Sequence, residues 1–237
     1  MRVTLLSYTQ NAERLCAAAA HSCYSGSGAS ELMQEEDEGR IERRLRAPLS
    51  AGHHSVIEHA AFTFSIEGIS RASSHQLVRH RIASFSQQSQ RYVKMENADY
   101  VMPESIGRDE EAASRYRELM DRIWEEYRFL SERVPKEDAR YVLPNACVTN
   151  ITVTMNAREL WHFFELRCCN RAQWELRAVA DEMLRQVQEV SPSIFSNAGP
   201  PCVSRGRCPE GPLSCGRPRN DLRKRGGLGV SAGSEKD

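Results

Sequence analysis

Val3, Leu5 and Tyr8 stand among polar neighbours at the start of the chain, which predicts a short first strand, and residues 11–20, ending in Ala17 to Ala20, predict a helix. From Glu35 to Ala47 charge is dense while Ile41, Leu45 and Leu49 recur at helical spacing, with Gly52 placed to end that helix. The period then changes to two: Phe62, Phe64 and Ile66 alternate with Thr63, Ser65 and Glu67, the pattern of a half-buried strand, which Gly68 closes. Over residues 109–134, Tyr116, Met120, Ile123, Tyr127, Leu130 and Val134 recur at steps of three and four, so one stripe of a long helix is apolar; Pro135 stops it. Ile151, Val153 and Met155 alternate with Thr152 and Thr154 as a second clear strand. At Asn156 the period switches back, with Asn156 as N-cap, Glu159 three residues on, and helices over 157–168 and 172–190.

After Ser191, Pro, Gly, Arg and Ser dominate, and large apolar residues such as Leu213 and Leu222 are few. So little apolar surface cannot offset chain entropy, and the expectation is a catalytic domain over 1–195 followed by a Pro/Gly/Arg-rich disordered tail over 196–237. The 237 residues hold 32 basic and 32 acidic side chains and are 40% hydrophobic, enough for a real core. Zero net charge argues against a protein that coats polyanions, so any anion site must be local. No apolar run approaches the roughly 20 residues of a membrane span, and Met1 to Gln10 lacks the form of a secretion signal; a cytoplasmic protein is expected. Eight cysteines at irregular spacing then read as thiols, not as a disulfide framework.

The stretch Arg79-His80-Arg81-Ile82-Ala83-Ser84-Phe85-Ser86-Gln87-Gln88-Ser89-Gln90-Arg91-Tyr92 concentrates three arginines and a histidine almost without acids. Charge runs usually face water, and composition alone leaves a solvated segment whose cations meet acids from elsewhere. If residues 86–92 are extended, however, Gln87, Ser89 and Arg91 share one face. An amide, a hydroxyl and a guanidinium side by side can hydrogen-bond a phosphate and a pyrimidine edge together.

The spacing R-H-R-x-x-S-x-x-x-x-S-x-R, Arg79 through Arg91, resembles the signature of the flavin-dependent thymidylate synthases. His53-His54-Ser55-Val56-Ile57-Glu58-His59, Arg140-Tyr141-Val142-Leu143-Pro144, Asn156-Ala157-Arg158, and Leu166-Arg167 followed by Ala172-Gln173-Trp174-Glu175 resemble further blocks of that family, in family order, across residues 1–195. The resemblance implies an α/β fold of α+β type: an antiparallel-rich mixed sheet flanked by long helices in one catalytic domain, assembling as a homotetramer with shared active sites. It implies reductive methylation of dUMP to dTMP with FAD, NADPH and methylenetetrahydrofolate. By position, Ser55, Glu58, Arg79, His80, Arg81, Gln87, Asn156, Arg158 and His162 would meet FAD. Gln76, Arg79, Gln87, Ser89, Arg91, Arg140 and Arg167 would hold dUMP, with Arg167 facing the uracil ring and favouring its ionised form. Gln87 stands where many relatives carry Glu, and His162 where many carry Asn.

Each role has a plainer alternative. Asn156 heads a helix, whose free N–H groups suit a pyrophosphate, but it also serves simply as a cap. Arg158 and His162, four apart, share a helix face that either lines a ligand or faces solvent. Arg167 ends the stripe of Leu160, Phe163 and Phe164, and a buried cation needs an anionic or carbonyl partner, which Glu165 or Glu175 would equally supply. Arg140, in a short charged helix between two prolines, reads by default as a surface ion pair. Ser89 has no evident base and reads as a hydrogen-bonding ligand; Cys147 has no motif of a nucleophile and reads as a small core residue.

His53, His54 and His59 near Glu58 do not stack on one helix face, and Cys202, Cys208 and Cys215 lack Cys-x-x-Cys pairs, so no metal is expected. Arg217, Arg219, Arg223, Lys224 and Arg225 form a basic cluster in the tail. With Arg79 to Arg91 it leaves RNA binding as the competing function, disfavoured because only Phe85 and Tyr92 are near for base stacking. A family member that has lost activity is the third possibility, against which the intact signature speaks.

Overall fold

The computed structural model describes residues 1–34, 37–95, 97 and 99–222. In chain order the main elements are β1 (Arg2–Tyr8), α1 (Ala12–Ser22), α2 (Glu38–Ser50), β2 (Ala61–Ser70) and α3 (Arg71–Leu77), then β3 (Ala83–Gln87), α4 (Glu110–Ser131), β4 (Val148–Asn156), α5 (Ala157–Arg167) and α6 (Trp174–Val190). Single helical turns join several of them. The strands form one antiparallel sheet in the order β1-β2-β4-β3, in keeping with the antiparallel-rich sheet expected. Apolar-in, polar-out alternation along β2 and β4 is what an antiparallel sheet with one solvated face requires.

The described chain falls into two compact units that interleave along the sequence. The first comprises Met1–Arg2, Ser65–Arg81 and Phe85–Val153; the second comprises Val3–Phe64, Ile82–Ser84 and the described part of Thr154–Asp237.

In the first unit α4 supplies the core stripe. Ala113, Met120, Trp124 and Tyr127 are buried, and Met120, Trp124 and Cys147 pack with Tyr100, Tyr116, Ile123 and Leu143. The buried rings keep their polar atoms satisfied: Trp124 Nε1 donates to the Asn97 carbonyl at 2.8 Å, and Tyr127 Oη accepts the Met95 N–H at 3.1 Å. The stripe ends earlier than predicted. Val134 is exposed, because the helix stops at Ser131 and the chain turns before Pro135. Gly68 does not close β2; it lies within it at φ +74°, where a Cβ would come within 3.3 Å of the Met1 backbone nitrogen, and the strand runs on to Ser70.

In the second unit α1 packs on α2, and α5 and α6 pack on each other. Phe62 and Phe195 meet edge to face at 5.3 Å, and Phe164 continues the ring cluster. The helix expected over Glu35 to Ala47 is α2, capped by Asp37, whose Oδ1 accepts the Arg40 N–H at 3.0 Å; Glu35 lies outside the described residues. Gly52, at φ +81°, ends this segment as expected. Edge strand β1 is covered by one side chain of α6: Gln186 Oε1 accepts the Leu5 N–H at 2.6 Å while its Nε2 donates to the Val3 carbonyl at 2.9 Å.

Residues 196–222 depart from the expectation of a disordered tail. Ala198 and Val203 are buried, Pro201–Ser204 forms a helical turn, and Arg219 is ion-paired to Asp181 at 3.0 Å. Polar tethers from Arg and Asn side chains replace the apolar burial that the composition lacks. Arg223, Lys224 and Arg225, with the rest of 223–237, lie outside the described residues. Among the described residues no helix is long and apolar enough to cross a membrane, and no cluster of three His, Cys, Asp or Glu side chains has metal-binding geometry.

Candidate functional site

In the first unit, Ser70 caps α3 by accepting the Ser73 N–H at 3.0 Å, and the helix ends in a tightened turn in which the Arg79 and His80 N–H groups donate to Gln76 and Leu77 carbonyls. That turn exposes Arg79 and Arg81 on either side of His80, which is only 4% exposed. Neither Arg79 nor Arg81 has a carboxylate partner among the described residues, so two uncompensated cations sit side by side. Gln76 is half-buried one turn earlier.

The single face proposed for Gln87, Ser89 and Arg91 does not form. β3 ends at Gln87, the Gln88 N–H makes a further backbone bond, to Asn150, and Ser89 opens a turn. Ser89 Oγ accepts the Arg91 N–H at 3.2 Å, and the Ser89 carbonyl accepts the Val93 N–H at 3.0 Å. A serine hydroxyl that bonds its own backbone two residues on competes with the strand ladder, and here it wins. Gln87 instead points inward, its Nε2 donating to Ser74 Oγ at 2.9 Å and to Thr149 Oγ1 at 3.2 Å.

Arg91 and Arg140 nonetheless converge. The Arg91 guanidinium spans Glu137 Oε2 at 2.8 Å from both Nε and Nη2, and Arg140 Nε donates to the Glu137 carbonyl at 3.1 Å. Arg140 therefore makes a backbone bond rather than the surface ion pair that is its default. The sequence reading did not include Glu137 or Arg71. Arg71 is half-buried at the start of α3, where a cation opposes the helix dipole, and that misplaced charge was its one visible signal. Burial, aided by the nearby Arg140 charge, holds its guanidinium below the ordinary arginine range. Cys147 is fully buried, and burial pushes its thiol up, in keeping with a core role.

In the second unit, α5 begins as the sequence predicts: Asn156 Oδ1 accepts the Glu159 N–H at 2.8 Å. The helix packs on the single turn His54–Ile57, with the His54 and Trp161 rings 4.8 Å apart. This contact brings Ser55 and Glu58 beside α5, and Arg158 is ion-paired to Glu58. Ser55, Glu58, Arg158 and His162 are all exposed. At the other end of α5, Leu160, Phe163 and Phe164 are fully buried and Arg167 is half-buried; burial lowers its pKa below the ordinary value. One expected competitor for Arg167 is engaged elsewhere, since Glu165 accepts from Arg205 at 2.7 Å.

The first unit also has an open cavity of about 310 Å³ on the polar sheet face, lined by Ser65, Glu67, Ser86, Gln88 and Asn150. None of the predicted site residues lines it; Ser86 and Gln88 do, while Gln87 between them faces inward. Predicted groups are instead exposed on segment ends: in the first unit Arg79 and Arg81, without carboxylate partners among the described residues, and in the second Arg158 in the first turn of α5. Such donors fit the diphosphate of the FAD that the resemblance implies.

Comparison with known proteins identifies the family. Residues 4–193 match the family model described as thymidylate synthase complementing protein. The chain is 52% identical over 220 residues to the flavin-dependent thymidylate synthase of Geobacter sulfurreducens, covering 92% of this chain and 94% of that one. It is 47% identical over 234 residues to the enzyme of the same name from Clostridium tetani, again covering 92% and 94%. In fold it is similar to a UMP/dUMP methylase from Streptomyces cacaoi bound with 5-Br dUMP, at TM-score 0.73 and 24% identity, covering 82% of this chain and 92% of that one. It is similar too to the flavin-dependent thymidylate synthase of Helicobacter pylori complexed with FAD and dUMP, at TM-score 0.65 and 24% identity, covering 84% and 100%.

Proposed function

The chain belongs to the flavin-dependent thymidylate synthase family, and from that membership we propose that it methylates dUMP reductively to dTMP, with methylenetetrahydrofolate as carbon donor and NADPH as reductant. FAD, when bound, supplies the hydride chemistry that converts a methylene carbon to a methyl group. Ser55, Glu58, Arg79, His80, Arg81, Gln87, Asn156, Arg158 and His162 would hold it. Gln76, Arg79, Gln87, Ser89, Arg91 and Arg140 would hold dUMP.

The guanidinium forks of Arg91 and Arg140 suit phosphate oxygens, and the exposed Arg91–Glu137 pair opens readily because solvent screens it. Arg167 draws negative charge onto the uracil ring, which raises the nucleophilicity of the carbon to be methylated. Its half-buried position strengthens that effect, since a guanidinium acts more strongly on charge in a drier site. The active sites would be shared between subunits of a cytoplasmic homotetramer.

The observation that carries the proposal is the Arg79–Arg91 signature, with Arg79 and Arg81 exposed and without a carboxylate partner among the described residues, in a chain half identical to named relatives. Purified protein is expected to bind FAD, to oxidise NADPH faster when dUMP is present, and to yield dTMP when the folate is added. Arg167→Ala should lower turnover by about two orders of magnitude with little change in thermal midpoint. A complete mixture that forms no dTMP would overturn the proposal.

A further inference from the structure

The C-terminal segment reaches the end of α5 that carries Arg167. Arg219, with a side chain 12% exposed, spreads its guanidinium over three partners. Nη1 donates to the Cys168 carbonyl at 2.7 Å, Nη2 to Asp181 Oδ2 of α6 at 3.0 Å, and Nε to Asp221 Oδ1 at 3.1 Å. Cys168 is the residue immediately after Arg167 and the C-cap of α5. Carbonyls at a helix C-terminus lack intrahelical donors, and a cation there is favoured by the helix dipole.

The loop that follows is fixed as thoroughly. Asn170 Nδ2 donates to the Arg217 carbonyl at 2.8 Å, and Arg171 pairs with Glu210 at 2.8 Å. Arg177 of α6 donates to the Asn170 carbonyl at 2.8 Å and to the Ala172 carbonyl at 3.3 Å. The tail thus closes over residues 168–171 and ties the end of α5 to α6. A fully paired guanidinium is an expensive anchor for a segment with so little apolar content, and what it immobilises is the backbone adjoining Arg167.

We propose that Arg219 is a positioning residue for Arg167, the C-terminal segment acting as a strap that sets the Arg167 backbone through the Cys168 carbonyl. The proposal rests on the assignment of Arg167 to the uracil ring. Displacing a catalytic group by about 1 Å costs up to about a hundredfold in rate, so a strap of this kind acts on kcat.

The test compares Arg219→Ala, Arg219→Lys, Arg167→Lys and the double variant Arg167→Lys/Arg219→Ala in the full chain with FAD, measuring kcat, KM for dUMP and thermal midpoint. Arg219→Ala should lower kcat about tenfold and leave KM for dUMP within about threefold, with FAD bound as in the parent. Arg219→Lys, which keeps a donor for the Cys168 carbonyl, should recover part of the loss. The double variant should be no slower than Arg167→Lys, because residues acting through one another are not additive. Parental kcat in Arg219→Ala, or losses that multiply in the double variant, overturns the strap alone. Parental kcat in Arg167→Lys together with Arg167→Ala overturns the assignment of Arg167 and the strap with it. If Arg219→Ala gives no cooperative melt, Asn170→Ala, which frees the Arg217 carbonyl and the Cys215 thiol of the tail, should show a smaller kcat loss of the same kind, and parental kcat there overturns the strap.

Discussion

His54 illustrates how burial assigns a role that residue type leaves open. Its ring lies 4.8 Å from the Trp161 ring, and burial holds the imidazole below its ordinary value of 6.5, with the Leu49 carbonyl opposing that shift and the Arg158 charge adding to it. Between the depressed value and 6.5 the unfolded chain binds more protons at this site than the folded one, so stability rises with pH across that window and is lost as pH falls through it. The thermal midpoint should therefore fall as pH is lowered from about 7, and His54→Gln should flatten part of that slope. An unchanged slope in the variant would show that other groups carry it. From sequence, His54 was one of three clustered histidines weighed only as metal ligands. Its packing partner Trp161 is more than a hundred residues away, and nothing local announced it.

At the scale of elements, what was legible is what short-range periodicity encodes. The change from period two to helical spacing at Asn156 marked both the end of β4 and the cap of α5, and the cap forms as read. Replacing Asn156 by Ala should cost about 1 kcal/mol in urea unfolding, while Asn156→Asp, which keeps the acceptor, should cost much less. Equal losses would mean that Asn156 matters for something other than the cap. The segment after β3 was not legible, because Gln, Gln, Ser and Gln alternate as plausibly in a strand as in a turn. A bond from the Arg91 N–H to the Ser89 hydroxyl decided it.

For the whole molecule, the strongest expectation concerns assembly. Arg79, Arg81, Ser55 and His162 are exposed in the single chain, as are the large apolar side chains of Ile82, Tyr92, Tyr141 and Trp174. Surfaces of that kind suit shared sites, and light scattering should give four times the chain mass; a monomer at micromolar concentration would sink the shared-site proposal. By itself the sequence determined helices α1, α2, α4, α5 and α6, strands β1, β2 and β4, the helix cap at Asn156 and the order of the signature residues, because each of these depends on neighbours a few positions apart. Tertiary structure alone decided which cations are paired and which segments are anchored. Arg91 meets a carboxylate 46 positions away, Arg158 one 100 away and Arg219 one 38 away, and whether a charge is compensated depends on distance in space, which no spacing along the chain conveys.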